Sequence, residues 1–89
     1  MKVTQVIIRW RCGLHLRAAA ELVRLAQRFR SEIRLHLDSQ VADARSVLSL
    51  LLLTASLGRA LRVEARGADE HEAILAVRDF FHAEGRYEA

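Results

Sequence analysis

An α+β fold is what this sequence predicts: an open-faced sandwich in which a four-stranded antiparallel sheet is covered on one face by three helices, in the order β-α-β-β-α-β-α. Three observations carry that expectation. Residues 32–37 and 61–66 alternate apolar and polar side chains, the pattern of a strand with one dry and one wet face. Residues 16–29 and 69–81 instead repeat apolar residues at the spacing of a helix that buries one stripe. No linker or repeat interrupts the 89 residues, so helices and sheet must bury their apolar faces against each other.

The elements follow in order. Val3 to Trp10 is rich in β-branched residues and stops at Arg11-Cys12-Gly13, which predicts the first strand and a turn. From Leu16 to about Phe29, Ala19, Leu22, Val23, Ala26 and Phe29 recur on one helical face, with Glu21, Arg24 and Arg28 turned outward. Glu32 to Leu37 alternates strictly and puts Ile33, Leu35 and Leu37 on one side of the sheet. Asp38-Ser39 then reads as a hairpin turn into a short strand from Gln40 to Ala44. Ser46 precedes the apolar run Val47 to Leu53, a helix that Leu57-Gly58 ends. Leu61, Val63 and Ala65 alternate with Arg62, Glu64 and Arg66 in the last strand. Asp69 is a helix-capping residue with Glu72 three positions on, the pattern of a capping box. The helix it opens has Ala73, Ile74, Val77 and Phe80 or Phe81 on its inner side.

Composition narrows the function classes. The chain suits one domain over residues 1–89, with a single core. Hydrophobic residues are 52% of it and proline is absent, so it is a folded globule. The net charge of +3 rests on arginine almost alone, which fits phosphate or an acidic partner and is too modest to argue for nucleic acid. One cysteine forms no internal disulfide, consistent with a reducing cytoplasm. Neither a signal segment nor an apolar run of the roughly 20 residues that span a bilayer is evident, so the expectation is a soluble cytoplasmic monomer without membrane insertion.

The chemistry concentrates in Arg11-Cys12-Gly13-Leu14-His15-Leu16-Arg17-Ala18-Ala19-Ala20. A glycine-marked turn delivers the His15 imidazole to the first residue of a helix, where unpartnered backbone N–H groups and partial positive charge attract anions. Arg17 can add a charge-assisted fork to the same oxygens. An unprotonated ring nitrogen is a nucleophile toward phosphorus, so the pattern points to reversible phosphohistidine formation. Around it, the second helix is too apolar to hide every side. Val47, Leu48 and Leu51, framed by Leu16, Ala20, Arg24, Gln27 and Arg28, are the expected docking surface for partner proteins, with Arg9, Arg11, Arg17, Arg24 and Arg28 adding electrostatic steering.

Three segments in order resemble the HPr family, the histidine phosphocarriers of the bacterial phosphoenolpyruvate phosphotransferase system. Gly13-Leu14-His15-Leu16-Arg17-Ala18-Ala19 is similar to its Gly-Leu-His-Ala-Arg-Pro-Ala signature, Arg45-Ser46-Val47-Leu48-Ser49 to its Lys-Ser-Ile-Met-Gly helix, and Ala65-Arg66-Gly67-Ala68-Asp69-Glu70 to its entry into the last helix. Leu16 and Ala18 depart from the family's small residue and proline, and Cys12 stands where a polar residue is common. The resemblance implies an HPr-like fold and a carrier, not an autonomous catalyst. Enzyme I would place a phosphoenolpyruvate-derived phosphoryl group on His15, at Nδ1, with Arg17 stabilising it, and IIA domains would accept it. Ser46 would be the target of an HPr serine kinase/phosphatase, besides its ordinary role as a cap. The run Ser46 to Leu53 is also similar to the nitrogen-related branch, whose members would act as regulatory binding modules without sugar transport.

Other chemistries lack residues. Cys12 and His15 have no third and fourth ligand at metal-binding spacing, and Cys12 has no orienting group for thiol catalysis, so neither metal nor cofactor is expected. An RNA-binding sheet of similar element order would carry aromatics on its open face, where Arg34, His36, Arg62 and Glu64 stand instead.

Overall fold

Alternating and helical segments fold as β1 (Lys2–Ile7), α1 (Leu16–Ala26), β2 (Glu32–Leu37), β3 (Gln40–Asp43), α2 (Val47–Leu52), β4 (Ala60–Arg66) and α3 (Glu70–His82) in a computed structural model that describes residues 1–83. Residues 84–89, included in the expected 1–89 domain, lie outside the described residues. The strands form one sheet in the order β1-β4-β2-β3, every neighbour antiparallel, so β1 and β3 are the edges. This is the sandwich the alternation predicts.

The period-two pattern decides the faces. Val6, Ile33, Leu35, Leu37, Ala42, Leu61, Val63 and Ala65 are buried under Ala18, Ala19, Leu22 and Ala26 of α1, Leu50 of α2 and Ala73, Ile74, Val77, Phe80 and Phe81 of α3. Both phenylalanines are therefore inside. On the opposite, open face, Arg62 and Glu64 of β4 stand beside Arg34 and His36 of β2, and His36 Nε2 lies 2.6 Å from Glu64 Oε1.

Element ends differ from the expectation where tertiary contacts intervene. Strand β1 stops at Ile7 instead of Trp10 because the chain turns inward: Trp10 is buried, stacked on Phe81 with centroids 5.4 Å apart and edge-on to Phe80 at 5.6 Å. Helix α1 ends at Ala26, not near Phe29. Its last turn tightens, Arg28 N–H donating to Leu25 O and Phe29 N–H to Ala26 O, and the Arg45 guanidinium takes the Phe29 carbonyl. Strand β3 ends one residue before Ala44, where Asp43 N–H turns away to Ser49 Oγ at 3.0 Å. Helix α2 likewise closes one residue before Leu53, which becomes its C-cap.

The capping box at Asp69 does not form. Its carboxylate makes no bond to its own helix and instead accepts Arg30 N–H at 2.9 Å, Ser31 N–H at 2.9 Å and the Ser31 hydroxyl at 2.6 Å. Ser31 is fully buried, so its polar groups require partners, and Asp69 supplies them while tying the α1–β2 loop to the start of α3. Glu70, not Glu72, reaches back: its carboxylate accepts Gly67 N–H at 3.1 Å and pairs with the Met1 amine at 2.9 Å.

Candidate functional site

Gly13 begins the site. It closes a turn by donating its N–H to Trp10 O at 2.9 Å, with φ at +64°. A Cβ added there would stand 2.3 Å from the Ala55 carbonyl oxygen, because the turn is pressed against the segment that follows α2. Leu14 N–H donates to that same carbonyl at 2.9 Å. The start of α1 is thus fixed to the end of α2 by backbone contacts that admit only glycine at position 13.

His15 is the cap of α1, and the first helical residue is Leu16; the expectation placed the histidine one position too far inside. Its backbone is extended (φ −87°, ψ 178°), its carbonyl accepts the first helical bond from Ala19 N–H at 2.8 Å, and its ring Nδ1 accepts from Ala18 N–H at 3.4 Å. A ring nitrogen has taken the role that a serine or aspartate oxygen usually fills. As an acceptor, Nδ1 presents its lone pair to the helix N-terminus. The imidazole is half-buried. No acidic residue occupies the first turn of α1, leaving its positive end without a carboxylate.

Arg17, in that first turn, is 77% exposed, and its Nε lies 3.6 Å from Glu21 Oε1 one turn further on. Ser46 caps α2, its Oγ accepting Ser49 N–H at 3.1 Å. Ser49 Oγ in turn receives Asp43 N–H, and Asp43 Oδ1 receives Arg45 N–H at 2.9 Å, so the segment before α2 is held to the sheet edge.

The expected docking residues divide. Leu16 (63% exposed) and Leu48 (67%) are bare apolar surface, Arg24 and Gln27 are exposed, and Ala20 is half-buried. Val47 and Leu51 pack against the core. Leu52 (65%) and Leu57 (54%) are bare as well, and neither was expected. The signal for Leu52 lay in its spacing, since it stands one turn from Leu48 on the same face of α2. Leu57 gave none, because only the contact of Ala55 with Leu14 brings its loop beside the His15 turn.

Cys12 is an exposed free thiol. Among the described residues, no group of three or more His, Cys, Asp and Glu is arranged to hold a metal ion, and no helix is long and apolar enough to cross a membrane.

Residues 2–83 match the family model described as the PTS HPr component phosphorylation site. A phosphocarrier protein HPr of Xylella fastidiosa (strain 9a5c) is 36% identical over 77 residues, 86% of each chain. A phosphocarrier protein NPr of Klebsiella oxytoca is 40% identical over 85 residues, covering 93% of this chain and 94% of that one. Among solved structures, an HPr from Thermoanaerobacter tengcongensis superposes with a TM-score of 0.88 at 35% identity over 92% of both chains. An HPr from Bacillus anthracis gives 0.85 at 26% identity, over 90% of this chain and 95% of that one.

Proposed function

Because the chain belongs to the PTS HPr family of phosphocarriers, we propose that it accepts a phosphoryl group from enzyme I on His15 Nδ1 and passes it to a IIA domain. The observation that carries this reading is the cap. Nδ1 directs its lone pair to the N-terminus of an eleven-residue helix at 3.4 Å from Ala18 N–H. In the forward step that lone pair attacks phosphorus, the P–N bond forming as the bond from phosphorus to its carrier atom on enzyme I breaks. The phosphoryl oxygens then replace Nδ1 as acceptors for Ala18 N–H at the first turn, and the helix dipole offsets their charge. Arg17 leaves Glu21 to add its fork to those oxygens, an exchange that a guanidinium 77% exposed makes at little cost. The reverse step releases the group to the acceptor. The protein turns over only with its partners, so it is a co-substrate and not an autonomous catalyst.

Leu16, Leu48 and Leu52 supply the apolar centre of the docking face, with Ala20, Gln27 and the core-packed Val47 and Leu51 supporting it and Arg24 at its rim. Ser46, already the cap of α2, is the regulatory position for an HPr serine kinase/phosphatase. The protein works as a cytoplasmic monomer.

The test is incubation with purified enzyme I of the sugar and nitrogen-related types and labelled phosphoenolpyruvate. Wild type should take the label and His15→Ala should not; label on His15→Ala overturns the assignment. The bond should be acid-labile and base-stable, as a phosphoramidate is. A second reading, membership of the nitrogen-related branch as a regulatory module without sugar transport, is favoured by the NPr relative, which is the more identical and is matched over the longer span. Labelling by the nitrogen-type enzyme I alone would select it.

A further inference from the structure

Away from the His15 turn, α1 and α3 diverge to leave a groove of about 450 Å³, lined by Glu21, Arg24, Leu25 and Arg28 on one side and Ala76, Asp79 and Phe80 on the other. That volume is within the roughly 300–1,000 Å³ of small-molecule sites. Its charges are unevenly satisfied. Glu21 is already paired with Arg17 at 3.6 Å, and Asp79 with Arg78 at 3.5 Å. Arg24, in the last turn of α1, and Arg28, two residues past its end, have no acidic partner among the described residues. Two like charges lining one groove repel each other, and a dianion between them removes the repulsion. Leu25 and Ala76, both half-buried, form an apolar strip beside this cationic pair, with the buried Phe80 ring behind it.

We propose that this groove binds a small organic phosphate, its phosphoryl group held by the Arg24 and Arg28 guanidinium forks and its body laid on Leu25 and Ala76. Two planar forks suit a group with three terminal oxygens and double charge better than a carboxylate with two oxygens and one. Glu21 and Asp79, at the ends of the strip, accept hydrogen bonds from hydroxyl or amino groups on the body and repel a second anion. A nucleoside monophosphate has all three parts: dianion, flat body and donors. This site is separate from the phosphoryl acceptor, since neither His15 nor Ala18 lines it.

The test is an amide chemical-shift titration of the whole protein at low salt with adenosine monophosphate, adenosine and inorganic phosphate in parallel. Adenosine monophosphate should shift residues 24, 25, 28, 76, 79 and 80 in a saturable manner, and both fragments should bind at least about tenfold more weakly. The Arg24→Gln, Arg28→Gln double variant, which keeps much of each apolar stem, should lose at least about tenfold in affinity, while His15→Ala should bind as wild type does. No saturable shift by about 10 mM overturns the site and leaves the two arginines serving only the carbonyl end of α1. Shifts centred on residues 15–18 and lost in His15→Ala overturn it in favour of the helix N-terminus. Equal binding of inorganic phosphate, or undiminished binding by the double variant, overturns the ligand class or the residues.

Discussion

Single side chains at the helix starts answer to different demands. Ser46 is a cap by geometry, so Ser46→Ala should cost about 1 kcal/mol in denaturant unfolding yet transfer phosphoryl at the wild-type rate. Ser46→Asp keeps an acceptor for Ser49 N–H and adds a charge to the proposed docking face, so it should retain stability and slow transfer from enzyme I most at low salt. Equal transfer rates for Ser46→Asp and wild type at low salt would leave the residue a cap alone. Asp69 is the counterexample, a capping residue by sequence that serves a distant loop. The Ser31 hydroxyl first, and the Arg30 and Ser31 N–H groups with it, hold its carboxyl below the usual aspartate range. A carboxyl whose folded pKa is lowered gives stability above its unfolded value, and loses it as pH falls through that value to the folded one. Asp69→Asn should therefore be less stable than wild type at neutral pH, the difference shrinking as pH falls below about 4. A difference independent of pH in chemical unfolding would show the loop is held by shape and not by charge.

Helix α1 shows how an element's position depends on one residue outside it. Gly13 combines a left-handed φ with a Cβ position occupied by the Ala55 carbonyl oxygen, whereas Gly58, at φ +87°, has nothing within 4 Å. Alanine at either site carries backbone strain of about 1–2 kcal/mol, but only at position 13 must the backbone also move. Gly13→Ala should thus lose about 2 kcal/mol or more and accept phosphoryl more slowly, because the cap moves with the turn. Gly58→Ala should lose less and transfer normally. If Gly13→Ala transferred as fast as Gly58→Ala in a stopped-time labelling assay, the turn would not position the imidazole. On α2, Leu48→Ala and Leu52→Ala should leave the unfolding midpoint within about 0.5 kcal/mol of wild type while raising the KM for enzyme I, since these side chains are bare.

At the scale of the whole molecule, one aromatic cluster joins chain segments far apart in sequence. Trp10, Phe80 and Phe81 meet with centroids 5.4 to 5.6 Å apart, fastening the segment after β1 to the last turn of α3. Phe81→Ala should cost about 3–5 kcal/mol, a large fraction of what a domain of this size has. Chemical denaturation should show the midpoint fall and Trp10 fluorescence change with it. A loss under about 1 kcal/mol would mean that the end of α3 contributes little to the core.

Much of this protein was legible in its sequence because periodicity is a local property. Alternation at Ile33, Leu35 and Leu37 and at Leu61, Val63 and Ala65 assigned the buried sheet face, and helical spacing assigned the inner stripes of α1 and α3. The Gly13-to-Arg17 segment marked the candidate site for the same reason: glycine, imidazole and helix start are neighbours along the chain. The rest depended on contacts between residues remote in sequence. Asp69 reads as a cap, yet a buried serine 38 residues earlier had the stronger need for its carboxylate. Trp10 reads as strand, yet the phenylalanines of α3 drew it into the core. Leu57 carried no signal until Ala55 met Leu14, and the nitrogen of His15 that faces the helix was fixed by the path of the turn. Pattern in the sequence determined which face of each element is apolar; the tertiary structure decided which polar atom meets which, because hydrogen-bond partners are chosen by distance in space.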